Sequence, residues 1–204
     1  MRLFGCNRVQ CLSVVLTLYF ASLVIAAPAT GAQQRPVQRR ELKLQIDDFV
    51  LTDQSGKAFE FKNLNGKVVI VAFAYTTCPD VCPLITAAMR EVQSNLSAAE
   101  KKSVKLLTVT TDPEIDVPKV LANYAQRYGA ELDSWSFLTG DEMVLKKVWK
   151  NFGVGVKRKA RGLVDHTPLT GIVDPHGVLR FAYVGPSPDK NLVLKDVRSL
   201  LASR

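Results

Sequence analysis

Residues 67–75, KVVIVAFAY, form an unbroken apolar and β-branched run. Such a run predicts a strand buried on both faces, at the centre of a parallel sheet. TTCPDVCPLITAAMREVQSNL follows at once. From Val81 onward it predicts a helix, with Leu84, Ile85, Ala88, Met89 and Val92 on one stripe. VKLLTVT at 104–110 predicts a second buried strand. VPKVLANYAQRYG at 117–129 predicts a helix closed by Gly129. WSFLTG at 135–140 reads as a short strand, and residues 141–152 as a helix closed by Gly153. Upstream, FVLTD (49–53) and KAFEF (57–61) flank Gln54, Ser55 and Gly56, which predicts a β-hairpin. Downstream, GIVDPHGVLRFAYVG at 171–185 places two apolar strands around a Pro-His-Gly turn. Ser187 or Asp189 then caps a last helix over 189–202.

Strands alternating with helices imply helices on both faces of a mainly parallel sheet. A closing antiparallel hairpin after two β-α units is the thioredoxin arrangement. The expected class is therefore α/β: a thioredoxin-like fold with a central mixed sheet flanked by helices and an N-terminal β-hairpin. In such a sheet the first helix begins at the carboxyl end of the central strand, where open α/β sheets place their sites. Cys78 and Cys82 fall at that point.

The chain of 204 residues suits one domain with some extra length. The extra length lies at the N-terminus. Arg2 and Arg8 precede an apolar stretch at 11–27 that only Ser13, Thr17 and Ser22 interrupt, and small residues stand at its end and just beyond it, at Ala26, Ala27, Ala29 and Ala32. Residues 1–27 are thus read as a signal peptide or an uncleaved membrane anchor, and either one exports the rest of the chain. Cys6 and Cys11 lie in this segment and receive no role. PATGAQQRPVQRR at 28–40 has no apolar periodicity and reads as a linker, which leaves residues 41–204 as the folded domain. The net charge of +8 owes much to this end. Residues 1–40 hold five arginines and no acid, so the remainder carries 22 bases against 19 acids, a net of +3. A fold that close to balance speaks against nucleic-acid binding.

Cys78-Pro-Asp-Val-Cys82 is a C-x-x-x-C motif. Residues i and i+4 share a helix face, so two sulfurs at this spacing converge. A helix N-terminus favours thiolate over thiol. Pro79 suits a first helical position, whereas Pro83 predicts that the regular helix begins only near it, with the cysteines in a tight loop. The pair has three readings. A disulfide suits an exported protein but closes only a short loop. A thiol-disulfide oxidoreductase fits, although thioredoxin-type enzymes place two residues between the cysteines, not three. A metal site fits soft Cu(I) if a nitrogen joins the sulfurs. Structural zinc usually takes a fourth protein ligand, and the chain has only two histidines.

His176 sits in the Asp-Pro-His-Gly turn and reads as an exposed turn residue. His166, in Leu-Val-Asp-His-Thr-Pro, precedes a predicted strand. In a thioredoxin-like sheet the loop before that strand faces the start of the first helix, so a ligand at His166 reaches the cysteines. Asp165 or another nearby acceptor orients the imidazole.

The strings Asp53-Gln-Ser-Gly, Gly66-Lys-Val-Val, Tyr75-Thr-Thr-Cys78-Pro-Asp-Val-Cys82-Pro, Thr111-Asp-Pro-Glu, Phe152-Gly-Val and Val164-Asp-His166-Thr resemble the Sco/SenC family over residues 44–186. These are thioredoxin-fold copper proteins of the mitochondrial inner membrane and the bacterial cell envelope. The resemblance implies a copper chaperone or thiol reductase that helps assemble the binuclear copper centre of cytochrome c oxidase. It implies copper ligands at Cys78, Cys82 and His166, binding Cu(I) or Cu(II), with Cys78 and Cys82 also a redox pair. It implies as partners the copper-bearing oxidase subunit or another copper chaperone, and a thiol reductant. The location it implies is the bacterial periplasm, soluble or held at the inner membrane by the N-terminal segment. An exported thiol-disulfide oxidoreductase or peroxide reductase without metal, and a redox sensor, stay as alternatives. Thr77 departs from the family pattern. So does the short basic run at 157–161, read as a solvated turn or as a guide toward an acidic partner. Asp112 and Pro168 are expected near the site, Asp112 as a turn or helix-cap residue at the sheet's carboxyl edge.

Overall fold

The computed structural model describes residues 36–203. The segment read as signal or anchor, together with Cys6 and Cys11, lies outside them. Among the described residues no helix is long and apolar enough to cross a membrane.

Strand β1 (Gln38–Gln45) comes first, and its first three residues lie inside the stretch read as a linker. Its sequence, QRRELKLQ, carries no buried face, yet it pairs antiparallel with a strand near the C-terminus. Arg39 fixes it there. Its Nε and Nη2 donate to the two carboxylate oxygens of Asp196 at 2.7 and 2.9 Å, and its guanidinium stacks 4.6 Å from the Phe181 ring centroid. The expected N-terminal hairpin is β2 (Val50–Asp53) and β3 (Ala58–Glu60), with Leu51 opposite Phe59.

The central apolar run is β4 (Val68–Ala74), and every residue of it is buried. Next come α1 (Val81–Ser94), the short α2 (Ala98–Ser103), β5 (Val104–Thr110), α3 (Pro118–Arg127), β6 (Trp135–Thr139) and α4 (Glu142–Asn151). Gly129 and Gly153 stand just past α3 and α4 at φ +62° and +69°, the left-handed conformation that ends a helix at low steric cost. The small strands β7 (Val156–Arg158) and β8 (Val164–His166) form a sheet of their own. β9 (Leu169–Val173), β10 (Val178–Val184) and α5 (Lys190–Ala202) close the chain, with Asp189 capping α5.

The main sheet runs β1-β10-β9-β4-β5-β6-β2-β3. β4, β5 and β6 are parallel, and β9 and β10 add antiparallel on the other side of β4. This is the expected mixed sheet, with one strand more at its N-terminal end. The period of two splits β4 between two cores. Val68, Ile70 and Ala72 pack under α1, α3 and α5; Val69, Val71 and Phe73 pack under α4 and the segment around Phe49 and Phe61. The buried face of α1 carries Cys82, Ile85, Thr86, Met89, Val92 and Gln93. Leu84, expected on that stripe, is exposed.

Candidate metal centre

The cysteine arm grows out of β4. Past Ala74 the chain passes through Tyr75 and Thr76 to Cys78, and α1 begins at Val81. Cys82 therefore lies inside the first turn, and the expected delay of the helix to Pro83 does not occur. The first N–H groups of a helix have no intrahelical partner, so a proline in that turn removes no bond. Asp80 stands at the N-cap without a capping bond. The sulfur of Cys78 takes the role instead: Cys82 N–H points to Cys78 Sγ, with N and Sγ 3.5 Å apart. Both cysteines are free thiols, Cys78 half-buried and Cys82 fully buried.

This geometry separates the two thiols. The hydrogen bond from the Cys82 thiol pulls Cys78 down to about 5 against the cost of burial, and the N–H groups of Asp80 and Cys82 and the Tyr75 hydroxyl assist. The same bond, together with burial, pushes Cys82 above the ordinary thiol range. Near neutral pH the pair is a partly accessible thiolate on Cys78 and a buried thiol on Cys82.

The histidine arm is the β7–β8 hairpin, in which Val156 faces His166 and Arg158 faces Val164. His166 Nε2 lies 3.5 Å from Cys82 Sγ. Its Nδ1 lies 3.1 Å from the Thr167 carbonyl, which only accepts, so Nδ1 is assigned the proton and the Nε2 lone pair faces the sulfur. Burial lowers the imidazole pKa and keeps it neutral. The orienting acceptor is thus the Thr167 carbonyl; Asp165 is exposed and pairs with Lys159 at 3.3 Å. Tyr75 joins the two arms. Its hydroxyl accepts from Val164 N–H at 3.3 Å, and its ring stands edge-on to His166 at 6.0 Å.

The cleft beside these groups holds about 540 Å³, between Tyr75, Cys78 and Val81 on one side and Leu163, His166 and Pro168 on the other. Pro168 is there as expected, and no peptide bond among the described residues is cis. His176 is exposed in the β9–β10 turn, as expected. The three candidate donors are neighbours without being a closed cage: among the described residues no three His, Cys, Asp or Glu side chains already stand as one.

The basic run at 157–161 is exposed from Lys157 to Ala160, as expected of a solvated segment, but only part of it is a turn. Lys157 and Arg158 belong to β7, and Arg158 pairs with Asp112 at 2.8 Å and Glu114 at 3.2 Å. Asp112 is at the carboxyl edge of the sheet and opens a turn, as expected, its carbonyl accepting from Asp116 N–H at 2.9 Å, but its carboxylate is buried and ion-paired rather than capping. Sequence reasoning missed Asp116, which is fully buried and accepts from Thr76 and Thr110. No local pattern marks it, since Thr76 is 40 residues away.

The SCO1/SenC family model matches residues 37–202. The chain belongs to the SCO1/SenC family. The SCO1 protein homolog of Bacillus subtilis is 32% identical over 178 residues, which are 84% of this chain and 89% of the relative. A solved structure of BsSco, described as a member of the Sco family of cytochrome c oxidase assembly proteins with a disulfide switch, is 30% identical at a TM-score of 0.71, covering 81% of this chain and 98% of that one. Yeast Sco1 with copper bound is 29% identical at a TM-score of 0.67, covering 79% and 90%. The Sco family is associated with copper binding and with cytochrome c oxidase assembly, and the α/β architecture of this chain matches the Sco thioredoxin-like structures.

Proposed function

We propose that Cys78, Cys82 and His166 hold copper as cargo and that the protein carries it, after export to the periplasm, toward the binuclear copper centre of cytochrome c oxidase. The observation that carries this reading is the neutral imidazole of His166 with Nε2 3.5 Å from the sulfur of a free cysteine pair. The donor set fits the metal. Two sulfurs and one imidazole suit soft Cu(I) better than a hard cation. A set of three donors leaves room for an acceptor's ligand, and the cleft gives it an approach. The acceptor is the copper-bearing oxidase subunit or another copper chaperone.

The asymmetry of the thiols favours a second reading on the same residues, reduction of a partner's disulfide. Cys78 thiolate attacks one sulfur of that disulfide, forming a mixed disulfide and releasing the other sulfur as thiolate. Cys82, losing its proton, then attacks Cys78 Sγ and releases the partner's second thiolate. The partner gains two electrons, and this protein keeps a Cys78–Cys82 disulfide that a thiol reductant reopens. The two readings differ in what a deletion strain needs. A strain lacking the protein is expected to lose oxidase activity and to regain it with added copper. Restoration by added thiol reductant alone selects disulfide reduction instead. Unchanged oxidase activity in the deletion strain contradicts both.

A further inference from the structure

We propose that the turn joining β5 to α3 positions both arms of the site through two buried carboxylates, Asp116 beneath the cysteine arm and Asp112 beneath the histidine arm. The inference rests on Cys78, Cys82 and His166 being the donors.

Asp116 is fully buried, and its oxygens accept Thr76 N–H at 3.2 and 3.3 Å, the Thr76 hydroxyl, and the Thr110 hydroxyl at 2.6 Å. Thr76 lies two residues before Cys78, so Asp116 sets where the cysteine segment leaves the sheet. Asp112 is also fully buried. Its Oδ1 accepts from Arg158 Nη2 at 2.8 Å, and among the described residues its Oδ2 has no partner. Arg158 is therefore the charge that answers this carboxylate. It sits opposite Val164 in the hairpin that ends at His166.

The hairpin needs such a tether. A two-stranded ribbon is marginal in water, and Lys157, Arg158 and Asp165 leave much of this one exposed. A buried carboxylate is costly to leave unanswered, so its partners are held at a few discrete positions. The two acids also act from one frame. Asp116 N–H donates to the Asp112 carbonyl at 2.9 Å, and Asp112 N–H donates to the Thr110 hydroxyl that itself donates to Asp116. One turn thus reaches a side chain on each arm, which makes Asp112 and Asp116 positioning residues.

The test compares Arg158→Ala with Thr76→Val in the reduced full-length protein. Two readouts need no metal: the imidazole NMR shifts of His166 and the rate of Cys78 alkylation by iodoacetamide at fixed pH. Arg158→Ala is expected to move the His166 signals, leave Cys78 alkylation unchanged and weaken copper binding about tenfold or more. Arg158→Lys, which still offers Asp112 a cation, is expected to restore much of both. Thr76→Val is expected to change Cys78 alkylation by about threefold or more, the scale of one lost hydrogen bond, without moving His166. Both variants shifting both readouts alike, or neither shifting any, overturns the proposal. A wild-type protein that binds no copper overturns the cargo reading instead, while the two metal-free readouts still decide the positioning.

Discussion

Cys78 and Cys82 hang from β4, a strand whose every residue is buried, and Cys82 itself lies on the buried face of α1. His166 ends β8, three residues long, in a two-stranded sheet apart from the main one. The core fixes the first region; a small apolar cluster of Val156 and Val164 against Tyr75 and Cys82, with a few side-chain bonds, holds the second. One arm of the site is therefore tied to the main core, while the other rests on that small cluster, an ion pair and a hydrogen bond. Such a division suits the proposed cargo site, which would both bind and release.

The largest effect is expected on the cysteine side. Phe73 is fully buried in β4 and packs 5.4 Å from Phe152. Phe73→Ala is expected to cost about 3–5 kcal/mol in denaturant unfolding, by lost burial and the cavity left behind. A loss below about 1 kcal/mol breaks the contrast between the arms. Next comes the thiol pair. Because Cys78 is lowered to about 5, its thiolate survives well below the ordinary thiol range of about 8.5. Iodoacetamide alkylation of the wild type is expected to stay flat from neutral pH down and to fall as Cys78 takes a proton near pH 5. Cys82→Ala removes the largest cause of that shift and is expected to move the midpoint upward by about one pH unit or more. An unmoved midpoint assigns the shift to the N–H groups of Asp80 and Cys82 and the Tyr75 hydroxyl instead. The smallest effect is expected at the rim. Lys159 and Asp165 pair at 3.3 Å with both side chains well exposed. Lys159→Ala is expected to change stability by less than about 0.5 kcal/mol. A larger loss in thermal unfolding means that exposed pairs, not the buried Asp112, hold the hairpin.

The same contrast governs what was legible in the sequence. β4, β5 and β6 announce themselves, since long apolar runs have few other uses. Both helix-ending glycines and the Asp189 cap obey local rules and were readable. β1 was not. Its residues are mostly polar, and its hold on the fold, Arg39 with Asp196, spans 157 residues. α2 did carry a signal: Ser97 and Glu100 form a capping box that is visible in the chain. β7 and β8, at three residues each, are too short to show a period. Leu84 misled because an apolar stripe five residues wide left its centre uncertain, and the buried face is turned toward Cys82 and Thr86. In the site, the three residues proposed to meet copper were read from the C-x-x-x-C motif, its place after β4 and the Sco/SenC strings, and the structure brings them together. Of the residues that hold them, Asp112 was placed at the sheet's carboxyl edge but its partner Arg158 was not, and Asp116 and Tyr75 act through partners that no local spacing reveals.

The most direct test of the central claim is a copper titration of the reduced protein, wild type against His166→Ala, read by bound-metal analysis and by the sulfur-to-copper absorption. The wild type is expected to bind copper stoichiometrically. His166→Ala is expected to lose more affinity than the about 10–100-fold that a supporting residue is worth, with an altered spectrum and an unchanged fold. Retention of copper by His166→Ala with the same affinity and the same spectrum contradicts a site built from both arms.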